Sequence, residues 1–247
     1  MARPLSVQLY TVREALAGDR DGVLRRIAGL GYGAVEPFQP TADPKGFRTV
    51  ADDLGLTVSS VHAMDLLGDA PGEVFEAAAT LGTDLVILPA GIPDEDFTTR
   101  DGPARAADLL NGLAQQASSY GQRIGYHNHW WEVEPVVDGK HGLEALAELL
   151  EPEVFLEVDT YWAYVGGADV PAVLERLGDR VLALHVKDGP GVKGEPHTAV
   201  GAGTLPVPQI LAARPEAWRV VELDECATDI FEALGESRTY LTSLEGA

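Results

Sequence analysis

The feature that most constrains this chain is a repeat of form rather than of letters. Short runs rich in β-branched and aliphatic residues recur at 5–10, 34–38, 57–62, 85–89, 124–129, 154–159, 181–186 and 218–223. Stretches with helical apolar spacing lie between and after them, at 21–29, 46–54, 71–82, 102–120, 142–150, 169–177, 207–213 and 230–244. Strands alternating with helices imply crossover connections and a parallel sheet. Gly31, Gly55, Gly82, Gly121 and Gly178 follow five of the helical stretches, where a helix needs a stop. Eight such units in 247 residues predict an α/β fold, a single (β/α)8 TIM barrel over 1–247 with a parallel eight-stranded core. A doubly wound open sheet is the alternative. It often carries a glycine fingerprint after its first strand, and here Thr11-Val12-Arg13 stands in that place.

Charge narrows the function. Asp and Glu number 39 against 18 Lys and Arg, a formal net charge of −21. Phosphate-backbone binding needs a basic surface, so nucleic acid and anionic membrane are excluded as expected partners. One cysteine, Cys226, rules out an internal disulfide framework. No apolar stretch reaches membrane-spanning length and no secretory leader is visible, so a cytoplasmic location is expected.

In a barrel of this kind the chemistry sits at the C-terminal ends of the strands. Polar residues gather at those ends. The first run carries Gln8, the second Glu36 and the third His62. The fifth ends in His127-Asn128-His129 and continues through Trp130 and Trp131 to Glu132. The sixth ends in Glu157-Val158-Asp159 before Tyr161 and Trp162, the seventh in His185-Val186-Lys187-Asp188, and the eighth in Glu222-Leu223-Asp224. Side chains alternate along a strand, so Glu157 shares a face with Asp159, His127 with His129, His185 with Lys187, and Glu222 with Asp224. Unpaired carboxylates inside a barrel are costly, and a divalent cation offsets that cost. His127 or His129 with Asp159, His185 and Glu222 offers mixed N/O ligation, which suits Mn²⁺, Co²⁺, Zn²⁺ or Fe²⁺ better than Mg²⁺. The aromatic residues after the fifth and sixth runs suit a carbohydrate cleft. His141, His197 and Cys226 read as structural. The glycines of the 189–203 loop, Gly201 and Gly203, are a weak candidate for a phosphate cradle.

Five segments in order carry a family likeness: Gln8-Leu9-Tyr10-Thr11-Val12-Arg13, Tyr126-His127-Asn128-His129 with Glu132, Asp159-Thr160-Tyr161-Trp162, Leu184-His185-Val186-Lys187-Asp188, and Val221-Glu222-Leu223-Asp224. Ser237-Arg238 with Tyr240-Leu241 adds to them. The chain resembles the xylose isomerase-like TIM barrel superfamily, in its sugar phosphate isomerase/epimerase branch. The resemblance implies a divalent metal, most commonly Mn²⁺, with Mg²⁺ also in use. It assigns Asp159, His185 and Glu222 as ligands. Many members have glutamate as the strand-five ligand; His127 stands there, with Glu132 and His129 as substitutes. Many epimerases place a histidine three residues after the strand-six aspartate, where this chain has Trp162.

The expected activity is isomerisation or epimerisation of a small sugar or keto-sugar through a metal-stabilised enediolate. Glu132, Glu157 and Lys187 are the candidate catalytic groups. Gln8, Glu36, His62, His129 and Trp162 are the candidate substrate contacts. His127, Asp159, His185 and Glu222 are the candidate metal ligands. Dehydration of a keto-sugar or keto-inositol by a metal-dependent lyase is the first alternative, and a non-catalytic sugar-binding protein the second. A metal-dependent nuclease on this barrel conflicts with the acidic charge. A small carbohydrate is the expected partner, and a homodimer is the assembly to test.

Overall fold

A computed structural model describes residues 3–245. The barrel strands are β1 (Ser6–Gln8), β2 (Ala34–Glu36), β3 (Thr57–Val58), β4 (Val61–His62), β5 (Leu85–Leu88), β6 (Arg123–His127), β9 (Phe155–Asp159), β10 (Val181–Val186) and β11 (Trp218–Val221). A small hairpin of β7 (Val136–Val137) and β8 (Lys140–His141) lies between β6 and β9. The helices are α1 (Arg13–Gly18), α2 (Arg20–Gly29), α3 (Pro44–Asp53), α4 (Pro71–Leu81), α5 (Gly102–Ser118), α6 (Gly142–Leu149), α7 (Thr160–Val165), α8 (Val170–Leu177), α9 (Val207–Ala213) and α10 (Ile230–Glu245).

Every barrel pairing is parallel, in the order β3-β2-β1-β11-β10-β9-β6-β5-β4. The count is nine rather than the expected eight because one run is divided. The 57–62 run pairs with β2 through Thr57 and Val58, and with β5 through Val61 and His62. Ser59 and Ser60 lie at the break, where Ser59 Oγ meets Ser6 Oγ at 2.8 Å and Ser60 donates to the Glu36 carboxylate. Both ends of the sheet therefore belong to one run, and the barrel closes through it. A closed barrel leaves no edge strand to protect.

The predicted helical stretches all form, and their five glycine stops sit at positive φ, where a side chain would be strained. Aspartates start three of them: Asp19, Asp43 and Asp169 accept N–H bonds from the first turns of α2, α3 and α8. The short α1 and α7, six residues each, were not anticipated. Six residues are too few to show an apolar period. No helix among the described residues is long and apolar enough to cross a membrane.

The main apolar core lies between the strands' outward faces and the helices. Inside the barrel, Leu85, Ile87 and Phe155 form a small apolar floor, with Leu182 and Trp218 packed against it. The Phe155 ring fills the space beside Gly125; a Cβ there would stand 2.4 Å from the ring. That floor closes the barrel beneath the polar residues at the strand ends. Gly125→Ala is expected to lower stability by about 1–3 kcal/mol, the usual range for overpacking. Urea unfolding checks this: the midpoint should fall with an unchanged slope.

Candidate active site

Strand register brings the polar side chains level. Gln8 pairs with Glu36, His127 with Glu157, and His185 with Asp159. Alternation turns His127, Glu157, Asp159 and His185 inward, and the chain beyond β10 and β11 adds Lys187, Glu222 and Asp224. The result is a buried polar cluster in two tiers.

The lower tier centres on Glu157 and Glu36, both fully buried. Glu157 Oε2 lies 2.5 Å from His62 Nε2, 3.1 Å from His127 Nδ1 and 3.1 Å from His185 Nε2. Glu36 Oε2 accepts from Gln8 Nε2 at 2.7 Å and lies 2.7 Å from His185 Nε2. The upper tier holds Asp159 and Glu222. Asp159 caps α7: its Oδ1 accepts the Trp162 N–H at 2.8 Å, which leaves Oδ2 facing inward. Asn128 clamps the Asp159 backbone: its Oδ1 accepts the Asp159 N–H at 3.0 Å and its Nδ2 donates to the Asp159 carbonyl at 3.3 Å. Glu222 Oε2 lies 2.7 Å from His185 Nδ1 and 2.6 Å from Lys187 Nζ.

The charges shape one another. Burial raises Glu36 above the usual carboxylate range, and the neighbouring Glu157 adds to it. Burial works the same way on Glu157, but His185 and His62 outweigh it and hold the group well below that range. Burial also opposes the ionised form of Glu222, and Lys187 with His185 reverses this to well below the range. Asp159 stays raised, because burial outweighs Lys187 and His185. Burial, with the His185 charge, puts His127 well below an ordinary histidine. Burial also lowers His185, but Glu157 and Glu222 carry it well above.

The donor set fits a divalent cation. The ligating atoms of His127, Asp159, His185 and Glu222 all lie within 4.8 Å of one another, as do those of His62, His127, Glu157 and His185. Of the buried carboxylate oxygens, Glu157 Oε1 receives no hydrogen bond, and Asp159 Oδ2 has only the Lys187 ammonium beside it, at 2.9 Å. Buried charges without donors call for ion pairing or a metal. The two quartets share His127 and His185, whose Nε2 and Nδ1 face Asp159 and Glu222 while the opposite nitrogens face Glu157 and Glu36. In the upper quartet the remaining nitrogens, His127 Nδ1 and His185 Nε2, rest on Glu157 and Glu36. That carboxylate backing is the usual support of a ligating imidazole. In the lower quartet, His185 Nδ1 would rest on Glu222 at 2.7 Å, but His127 Nε2 would have only Asp159, at 3.8 Å. The geometry therefore favours the upper quartet.

Above it opens a cleft of about 510 Å³, within the range of small-molecule sites. His62, His127, His129, Lys187, Glu222 and Asp224 supply its polar lining. Its aromatic wall pairs Trp130 with Trp162 at 5.0 Å and stacks His129 on Trp131 at 4.0 Å. Not every residue singled out in the sequence reaches this cleft. Gln8, Glu36 and Glu157 sit beneath it, holding the histidines. Glu132 faces the helix layer, where it accepts from Tyr126 Oη at 2.5 Å and from the His129 N–H at 2.8 Å. His141 starts α6, away from the cluster.

One charged residue of the cleft lies outside the candidate set. Asp224 lines the cleft, 3.0 Å from Lys187 Nζ through both oxygens, and accepts from Trp162 Nε1 at 3.2 Å. Its spacing of two from Glu222 was the signal for it. His197, read as structural, is buried, and its Nδ1 accepts the Asp224 N–H at 3.1 Å. The loop after β10 also corrects an expectation. The N–H groups of Gly189, Gly201, Gly203 and Leu205 converge at 2.9–3.1 Å on the carboxylate of Asp188. The cradle is filled by the chain's own anion, so the loop has no place for a phosphate.

Asp188→Ala should cost about 2–4 kcal/mol, since it strips buried N–H groups of their acceptor. Chemical denaturation measures the loss, and Asp188→Asn should recover part of it. His197 gives a pH test. Burial, reinforced by the Lys187 charge, lowers its pKa to about 4. The unfolded imidazole titrates near 6.5, so between about 6.5 and 4 the unfolded chain takes up the proton first. The stability contributed by neutral His197 is complete above that window and is lost as the pH falls through it. Melting temperatures across the window should fall less steeply for His197→Gln than for the wild type.

Comparison with known proteins agrees with this architecture. A family model described as "Xylose isomerase-like TIM barrel" matches residues 24–213. An inosose dehydratase from Geobacillus kaustophilus (strain HTA426) is 26% identical over 193 residues. That match covers 68% of this chain and 62% of the relative, so the chain spans about three fifths of its length. A sugar phosphate isomerase/epimerase structure from Parabacteroides distasonis ATCC 8503 superposes with a TM-score of 0.81 at 23% identity, covering 98% of this chain and 94% of that one. A xylose isomerase-like TIM barrel protein from Mycobacterium smegmatis, solved in complex with magnesium, gives 0.71 at 16% identity, covering 98% and 96%. These two likenesses are of fold. With closed barrel, strand-end cluster and family match in agreement, the chain belongs to the xylose isomerase-like TIM barrel family.

Proposed function

We propose that the protein is a divalent-metal-dependent isomerase or epimerase of a small keto-sugar, working by proton transfer beside a carbonyl. The observation that carries this reading is the upper quartet: two imidazoles backed by carboxylates and two acidic side chains, at the base of an aromatic-walled cleft. His127, Asp159, His185 and Glu222 would hold the ion, with Mn²⁺ the first choice for mixed N/O donors. When bound, the cation supplies Lewis acidity that polarises the substrate carbonyl and offsets enediolate charge.

The chain's own residues do the rest. Trp130 and Trp162 wall the cleft on the side that would take the C–H face of a sugar, with Lys193 lying over one face of Trp130. Lys187 carries an ammonium at the cleft, held well above its ordinary pKa because Asp159, Asp224 and Glu222 outweigh burial. It donates to the oxygen on which charge develops. Proton transfer at carbon falls to His62, which lines the cleft and would take the proton as the neutral imidazole and return it as the imidazolium, with the Glu157 carboxylate 2.5 Å behind it to stabilise that charge. Burial lowers His62, but Glu36 and Glu157 carry its pKa above the usual value. Glu157 thus acts through His62, and Gln8 and Glu36 act through His185. Glu132 fits a loop anchor better than a base, since fixed donors occupy both its oxygens.

Dehydration is the second reading, supported by the inosose dehydratase relative and by Trp162 at the epimerase histidine position. It shares the first proton transfer and then expels a hydroxyl. A panel of ketoses and keto-inositols followed by NMR in D₂O with Mn²⁺ separates the two. Deuterium uptake without loss of water supports isomerisation, and loss of water supports the lyase. A metal-loaded protein that binds sugar but does neither is the non-catalytic case. Asp159→Asn and Glu222→Gln should each lose stoichiometric metal by elemental analysis. Turnover should fall by at least the roughly 100-fold that lost outer-shell support already produces. Full metal and full turnover in either variant defeats the ligand assignment.

A further inference from the structure

The buried ammonium of Lys187 stands among the oxygens that the upper quartet offers to an ion. Its Nζ is 2.9 Å from Asp159 Oδ2, 2.6 Å from Glu222 Oε2 and 3.0 Å from each oxygen of Asp224. Asp159 and Glu222 belong to the quartet and Asp224 does not. A divalent ion bound to carboxylate oxygens sits about 2.0–2.2 Å from them. An ion at that distance from Glu222 Oε2, itself 2.6 Å from Nζ, would lie within about 5 Å of the ammonium, and two such charges repel strongly at low dielectric.

We propose that Lys187 is a two-seat internal cation. It competes with the divalent ion for Asp159 and Glu222, and ion binding moves it wholly onto Asp224 at the cleft wall. The inference rests on the metal reading of the upper quartet.

The second seat is already built. Asp224 presents both oxygens to Nζ, and Trp162 Nε1 fixes one of them at 3.2 Å. His197 holds the Asp224 backbone N–H at 3.1 Å. The Trp162 ring lies 5.7 Å from Nζ, a cation–π distance. Asp224 is partly exposed to the cleft, whereas Asp159 is fully buried. A compact ammonium on a flexible stem suits such an exchange, where a rigid guanidinium fork would not. The shift needs only side-chain rotation. It would couple loading of the ion to delivery of a hydrogen-bond donor where substrate oxygen binds.

The test combines crystallography of the Mn²⁺-loaded protein, using anomalous scattering, with calorimetric Mn²⁺ titration. The expected structure has Mn²⁺ among the four quartet residues, Lys187 Nζ on Asp224, and Nζ outside hydrogen-bond reach of Asp159 and Glu222. Lys187→Met should bind Mn²⁺ about tenfold tighter and Asp224→Asn about tenfold weaker, in line with removing a competitor or its alternative seat. Lys187→Met should also melt lower without Mn²⁺ and gain more from it than the wild type does. A loaded structure with Lys187 still on Asp159 and Glu222 overturns the proposal, as does Lys187→Met binding Mn²⁺ no tighter. If Lys187→Met does not fold, the wild-type crystal structure decides alone. If the wild type takes up no Mn²⁺, the metal reading falls first and this inference with it. Uptake with Lys187 unmoved defeats only the inference.

Discussion

The burial of carboxylates inside the barrel is the constraint from which the rest of the site follows. Glu36, Glu157, Asp159 and Glu222 all lie below 6% exposure on the inward face. An isolated ionised carboxylate in such a place is strongly disfavoured. Each must therefore be paired, protonated or coordinated. His62, His127, His185 and Lys187 are the positive or potentially positive partners within reach, and every one contacts at least one of these acids. The cluster is thus one electrostatic unit, and removing a member leaves its partners uncompensated.

The fold supplies that unit through register. A one-residue slip of β9 would turn Glu157 and Asp159 to the helix layer and bring Leu156 and Val158 inside. The apolar floor of Leu85, Ile87 and Phe155, with Gly125 making room for the Phe155 ring, disfavours such a slip. Asp159 links the two levels of organisation. One oxygen starts α7 and the other faces the inward cluster, so secondary structure aims the side chain.

Much of this was legible in the sequence because it follows period and position. Strand runs, helical stretches and glycine stops are local signals, and the barrel is their sum. The set His127, Asp159, His185 and Glu222 followed from strand-end placement and alternation, together with a family likeness. Direction at the loops was not legible. Glu132 lies close to His129 in sequence, yet its partner Tyr126 draws it outward. Asp188 resembles a site acid until the loop folds four N–H groups around it. His197 meets Asp224 across 27 residues, and no linear pattern encodes that contact. Ser59 and Ser60 divide one predicted strand because the closing run must change neighbours midway.

The loops and the cluster follow one rule. Asp188 satisfies the loop after β10, neutral His197 satisfies the backbone after β11, and Glu132 satisfies the turn after β6. Each uses up local donors, and the loop charge that comes near the cleft is Lys193, whose ammonium lies 3.9 Å from the centre of the Trp130 ring. The ionic groups left to face it come from the cluster: His62, Lys187, Glu222 and Asp224, with His127 and His129 as further polar lining. The net charge of −21 therefore says little about what binds there. The barrel mouth offers a nearly self-compensated cluster and an aromatic wall, and under the proposed function these would receive the oxygens and the C–H face of a keto-sugar.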